Sequence, residues 1–289
     1  MLLTDIAQAF FNGIAIGSVI ALAAIGLTLT YGILKISNFA HGDYMTLGAY
    51  LTWFFNINGV NIPIAMFLGA VGTVGGMLIA EQLLWKPMRK RRATPTTLII
   101  LSIGLALFVR NGILFIWGGN NQRYDVPLVP AADIFGIKVA FYRLVAIALA
   151  IVAVIVLHFI LQNTKIGKAM RAVADNIDLA KVSGINVDRI VIWTWVITGV
   201  LVAVAGSMYG LITVIRPNMG WFLILPMFAS VILGGIGNPY GAIAGALVIG
   251  VAQELSVLLI DPAYKQGIAL LIMIIILLVR PQGLFRGTM

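Results

Sequence analysis

Only ten of the 289 residues are acidic and only two are histidines, so any proton, metal or ion chemistry must run through very few groups. Four ionisable residues fall within apolar sequence: His41 and Asp43 close together, then Arg110, then Glu254. Such residues mark a pathway or a paired charge, because a bare charge in hydrocarbon costs about 3 kcal/mol or more. Arg110 and Glu254 either line a water-filled path or neutralise one another. His41 and Asp43 stand at the inner start of a span, where a polar collar explains them without transport. Glu81 lies close to Trp85 and Lys86 and is expected to snorkel to the surface. A proton relay among groups so separated is the weakest of these readings.

No catalytic constellation emerges. Cysteine is absent, which removes thiolate nucleophiles, thiolate metal sites and disulfides together. His158 is far in sequence from His41, and no spacing suits a metal. Gly235-x-Gly237 is followed by Tyr240 where a dinucleotide fingerprint needs its third glycine. Gly167-Lys168 has Gln162, not Gly, five positions earlier, so it is no phosphate loop. The chain is therefore expected to be no enzyme, and to hold no ATP, metal or other cofactor of its own.

The elements that must position these groups are membrane spans. Hydrophobic residues make up 61% of the chain and charged ones 10%, against roughly 25% charged in soluble domains. Apolar runs of about twenty residues recur throughout, which predicts an all-α, polytopic membrane protein. The net charge of +9 is concentrated in two loops, 86–92 and 163–189. That pattern signals topology and contact with anionic lipid at the cytosolic face, not nucleic acid. No Lys or Arg precedes the first apolar run, so it lacks the basic start of a cleaved signal peptide.

Spans are expected over 6–34, 36–55, 64–85, 96–117, 139–161, 190–213, 242–260 and 263–279. The polar segment 118–138 reads as an outside loop, and 234–241 as a glycine-rich cytosolic turn. Gly199, Ala203, Gly206 and Gly210 suit close helix packing. Residues 219–233, interrupted by Pro226, barely reach across hydrocarbon. A crossing there, or a broken helix buried in protein, keeps Arg280 and Arg286 inside. The count is eight or nine crossings, with the amino terminus outside and the carboxyl terminus inside.

The loop 163–189 is too polar for lipid and reads as two short helices. Ile166, Ala169, Met170 and Val173 share one face of the first. Lys168, Arg171 and Asp175 lie on another, with Arg171 and Asp175 spaced for an i,i+4 pair. Asp175 is expected to cap the second helix, with Asp178 at N3 imitating a capping box. Leu179, Val182 and Ile185 form its apolar edge, its polar side faces outward, and Gly184 suits the positive-φ position after its end.

Asp178 to Gly184 has the Glu-Ala-Ala-x-x-x-Gly spacing of the loop that ABC-importer permeases dock into their ATPase subunits. Asp178 replaces Glu, Leu179 replaces the first Ala, Ala180 matches the second, and the Leu-Pro that often follows Gly is missing. Asn38-Phe39-Ala40-His41-Gly42 follows Thr30-Tyr31-Gly32. The run Ala-Asp-Asn-Ile-Asp-Leu-Ala-x-x-x-Gly-Ile-Asn then appears mid-chain, and Gly234-Gly235-Ile236-Gly237-Asn238-Pro239 near the end. Together, in this order, they resemble the permeases of branched-chain amino acid ABC importers, the LivH type.

The resemblance covers essentially the whole chain and implies one transmembrane permease domain over 1–289. It implies a multi-pass subunit of the bacterial inner membrane. Its partners would be a homologous second permease, two ATPase subunits that bind the ATP, and a periplasmic solute-binding protein. The substrate would be leucine, isoleucine, valine or a related amino acid or amide. The ATPase would meet Asp175, Asp178, Leu179, Ala180, Val182 and Gly184. Signature or pathway candidates are Asn38, His41, Gly42, Asp43, Arg110, Glu254, Gly234, Gly235, Gly237, Asn238 and Pro239. The rival reading is an ion-coupled secondary transporter or channel. It requires a midplane ion site in two corresponding broken helices; Pro226 supplies one candidate break, and no internal repeat is evident in the sequence.

Overall fold

A computed structural model describes residues 2–285 except 128 and 135. Arg286, which carried part of the charge argument, lies outside the described residues. Among the described residues the fold is all-α apart from one small hairpin, and six helices are long and apolar enough to cross a membrane.

Helix α1 runs from Leu2 to Leu34, about 50 Å at 1.5 Å per residue. It stops where Lys35 takes φ +55°. The next span does not begin at 36 as expected. Residues 35–40 are extended or turned, and α2 (His41–Ile57) starts only at His41. A tight turn leads to α3 (Ile62–Ala80), which continues through a π-helical turn (Glu81–Trp85) into α4 (Lys86–Lys90). Helix α5 (Pro95–Trp117) follows, then the antiparallel strands β1 (Ala132–Ile134) and β2 (Ile137–Val139). Helix α6 (Phe141–Asn163) returns to the end that carries α4 and its cationic loop, here called the basic end. There α7 (Lys165–Asp175) and α8 (Ile177–Val182) form the connection to α9 (Val187–Ile212).

The chain then repeats its opening move. Residues 213–218 are irregular, α10 (Met219–Gly234) starts late, and a short turn leads to α11 (Pro239–Ser256). A 3₁₀ turn (Pro262–Tyr264) leads into α12 (Lys265–Val279). Pro226 lies inside α10 and does not break it; the break lies before Met219 instead.

The packing makes the repeat explicit. Helix α1 lies along α11, α9 along α3, and α2–α3 and α10–α11 are matching hairpins flanked by α5 and α12. The two sets run in opposite directions, since α2 ends far from the basic end and α10 ends beside it. Sequence reading missed this inverted repeat because its two halves match in helix breaks, not in residues.

Small residues allow the close approaches. A Cβ at Gly206 would meet the Met45 carbonyl, and one at Gly48 would meet Ala203. Glu81 is not a snorkelling surface group. It is 2% exposed, accepts from Trp195 Nε1 at 2.8 Å and pairs with Arg89. The π turn carries its carboxylate inward between α3 and α9, where Trp85 stacks on Trp195 with centroids 6.2 Å apart.

Candidate functional site

Two regions hold the groups that sequence singled out. The first is the crossing of the half-helices α2 and α10. A Cβ at Gly42 would meet the Gly220 carbonyl, and a Cβ at Gly220 would meet the Gly42 carbonyl. Only glycine at both positions lets the two backbones touch. The Gly220 N–H donates to Thr46 Oγ1 at 3.0 Å across the same crossing.

His41 lies deep in the protein, not in a surface collar. It is fully buried, and its Nε2 contacts the Ala23 carbonyl at 2.8 Å. Ala23 is eleven residues before Leu34, about 16 Å along α1. As the Ala23 carbonyl can only accept, Nε2 carries the proton. Nδ1 is then an acceptor without a partner among the described residues. Asn38 is buried too; its Oδ1 accepts from the Ala40 N–H at 3.1 Å, while its Nδ2 has no partner among the described residues.

Arg110 and Glu254 do not neutralise each other. Arg110 donates from Nε and Nη2 to the two oxygens of Asp43 at 2.9 and 3.0 Å, a two-pronged pair joining α5 to the first turn of α2. The acid also suits the positive end of α2. The guanidinium lies 4.6 Å from the centre of the Trp221 ring on α10. Glu254, two residues before the end of α11, pairs instead with Lys265 at the start of α12.

The second region is the basic end. The cap of α8 is Asn176, not Asp175: its Oδ1 accepts from the N–H groups of Asp178 at 3.0 Å and Leu179 at 2.9 Å. Asp175 instead ends α7, and Asp178 stands at N2, pairing with Lys181 at 3.5 Å. The expected Arg171–Asp175 pair does not form among the described residues. Arg171 turns back to donate to the Leu161 carbonyl and to Gln162 Oε1, both at 2.7 Å.

Gly184 has φ +84°. Its N–H donates to the Lys181 carbonyl and that of Ile185 to the Ala180 carbonyl, both at 3.0 Å. This is the paired termination of a Schellman motif. The exposed side is mixed: Leu179 is 62% and Val182 82% exposed beside the exposed Asp178 and Lys181, while Ala180 is buried.

The Gly234–Pro239 turn sits beside these helices. Gly235 and Gly237 take φ +103° and +89°, Gly234 packs on Gly241, and Asn238 Oδ1 caps α11. Gly237 N–H donates to Thr28 Oγ1 at 2.8 Å, fixing the turn to α1. Tyr240 links the turn to α6: its hydroxyl lies 2.7 Å from His158 Nδ1 and accepts from Gln162 Nε2 at 3.5 Å. Arg171, Gln162 and Tyr240 thus form one hydrogen-bonded chain from α7 to α11. A cavity of about 120 Å³ adjoins it, bordered by Leu29, Ile33, Met170 and Pro239. Sequence reading gave Tyr240 no role, since a lone Tyr after Pro carries no signal of its own.

Residues 9–277 match the family described as branched-chain amino acid transport system / permease component. The high-affinity branched-chain amino acid transport system permease protein LivH of Salmonella typhimurium is 31% identical, with 96% of this chain and 94% of the relative covered. BraD of Pseudomonas aeruginosa, with the same description, is 29% identical over 96% and 94%. The ribose import permease protein RbsC of Haemophilus influenzae is more distant, 25% identical over 74% and 66%. No solved structure matches the chain significantly. With the family matched over nearly its full length and its apolar helices long enough to span a membrane, this chain belongs to the branched-chain amino acid transport permease family.

Proposed function

We propose that this chain is the membrane-spanning subunit of an ATP-driven importer of leucine, isoleucine, valine or related amino acids. ATP is bound and hydrolysed by two separate ATPase subunits. A homologous second permease completes the pathway, and a periplasmic binding protein delivers the solute. The basic end faces the cytosol, so the amino terminus is periplasmic and the carboxyl terminus cytoplasmic in a bacterial inner membrane.

The observation that carries this reading is α8. Leu179 and Val182 stand exposed on a helix with a side-chain cap at one end and a Schellman termination at the other. Apolar side chains held outward in a basic loop fit a groove in a partner protein. Movement of the ATPase pair would pass from α7 through Arg171, Gln162 and Tyr240 to the α10–α11 hairpin. It would tilt the half-helices about the Gly42–Gly220 crossing and alternate access to the path between the two permeases.

The test is reconstitution with the partner subunits. Leucine, isoleucine or valine with the binding protein should stimulate ATP hydrolysis. Uptake should persist when a protonophore collapses the proton gradient at constant ATP. The rival secondary transporter is favoured by one observation, the pair of corresponding late-starting half-helices. Uptake by this chain alone, abolished by the protonophore, would establish the rival. Single cysteines replacing Asn121 and Asn176 test orientation: an impermeant reagent should label only the first in whole cells.

A further inference from the structure

Arg110 precedes Trp117, the last residue of α5, by seven positions, which puts it about 10 Å short of that helix end. Its Nε and Nη2 are used by Asp43, while Nη1 has no hydrogen bond among the described residues. Its side chain is 15% exposed, and the Trp221 ring against which it lies belongs to a residue 39% exposed. The neighbouring Asn111 is also exposed, its Nδ2 donating only to the Leu107 carbonyl of its own helix. Near them in sequence stand exposed apolar side chains, Phe108 on α5 and Phe222 and Leu225 on α10.

A guanidinium edge and an amide turned toward lipid at that depth are strongly disfavoured, so this patch faces water or protein. We propose that it is a subsite for the head group of a zwitterionic amino acid on its way through the permease. The proposal rests on the import reading above and names the residues that meet the solute. Nη1 of Arg110 donates to the α-carboxylate, the bonding that guanidinium favours. The exposed face of Trp221 receives the α-ammonium as a cation–π partner. Asp43 and Arg110 together carry no net charge, so the site suits a zwitterion and penalises a lone cation or anion. Phe222 and Leu225 then offer apolar contact to a branched side chain.

The test uses the Cys-free chain assembled with its ATPase and binding-protein partners in nanodiscs. A single cysteine replaces Asn111 and is exposed to a charged, impermeant thiol reagent. The expected result is labelling that leucine slows several-fold and that leucinamide, which lacks the carboxylate, does not. Trp221→Ala should remove the leucine protection while the complex still assembles. No labelling of Asn111→Cys, or labelling equally fast with leucine, leucinamide and buffer, overturns the subsite. ATPase stimulation by leucine with its binding protein is read on the same sample. Stimulation without protection overturns the subsite alone, whereas absence of stimulation overturns the import reading on which it rests.

Discussion

Gly184→Val tests the basic-end helix where its energetics are simplest. At φ +84° a Cβ on residue 184 would meet nothing within 4 Å, so any cost comes from the backbone and not from a clash. A left-handed conformation costs an ordinary L-residue about 1–2 kcal/mol, and a β-branched one tolerates it worst. If the chain turns away to relieve this, the Gly184→Lys181 and Ile185→Ala180 hydrogen bonds are lost, each worth about 1 kcal/mol net. Helix α8 has six residues, well below the roughly 12–15 at which an isolated helix becomes marginal. A loss of about 2 kcal/mol lowers the population of the ordered helix about thirtyfold. Gly184→Asn should be near wild type, because Asn accepts the left-handed region; Ala should be intermediate and Val worst. The assay is membrane abundance, co-purification of the ATPase subunits, and solute accumulated per ATP hydrolysed. Abundance should hold, because the site is solvent-exposed, while co-purification or coupling falls in the order Asn, Ala, Val. Wild-type transport by Gly184→Val at normal abundance refutes the assignment.

Three further substitutions separate the alternatives. Asn176→Ala removes both N–H acceptances at the start of α8 and should cost about 1 kcal/mol, whereas Asp175→Ala should leave ATPase co-purification unchanged; the reverse order contradicts the observed cap. Glu81→Ala strips a buried acceptor from Trp195 and the partner from Arg89, and should destabilise by about 1–3 kcal/mol. Glu81→Gln keeps the acceptor and should lose less, as read by the unfolding midpoint in detergent. Tyr240→Phe removes only the hydroxyl joining Gln162 and His158, so ATPase binding should survive while solute moved per ATP drops. Unchanged stoichiometry rules out the Arg171–Gln162–Tyr240 route.

What sequence could reveal followed from what lipid imposes. Apolar length located α1, α3, α5, α6, α9 and α12, and the cationic loops located one common end. The Gly184 position was legible because a terminating glycine has a single conformational reason. Three things were not. The start of α2 was hidden because buried irregular backbone is hard to tell from helix in sequence, and only packing shows that residues 36–40 are not part of the span, whereas the start of α10 at Met219 was legible. The partners of Arg110 and Glu254 were hidden because a pairing across helices leaves no spacing in the chain. The cap of α8 was misassigned by one residue because Asp175 and Asn176 are both good cap types, and the end of α7 decides between them. On a helix of six residues, the side that packs is set by how α7 and α9 hold it, and here they bury Ala180 and leave Leu179 and Val182 exposed beside the polar Asp178 and Lys181.

The half-helix crossing meets the structural requirement of an ion-coupled transporter, since two late-starting helices meet in an inverted repeat. The chemical requirement is a separate matter. A coupling ion needs a carboxylate or an array of carbonyls it can reach, with charge left to offer. Asp43, the acid nearest the crossing, is fully buried and has both oxygens bound by Arg110. Glu81 is held by Arg89 and Trp195, and Glu254 by Lys265. Each acid that the sequence placed within apolar surroundings is thus neutralised by a cation of the same chain. Protonating or loading any of them would first require breaking an ion pair, a step most costly at Asp43 and Glu81, whose carboxylates are buried while their cation partners stay partly exposed. The work of opening such a permease is better supplied from outside the bilayer. In the proposed reading it enters at the exposed pair Leu179 and Val182, tied through Arg171, Gln162 and Tyr240 to the base of the α10–α11 hairpin.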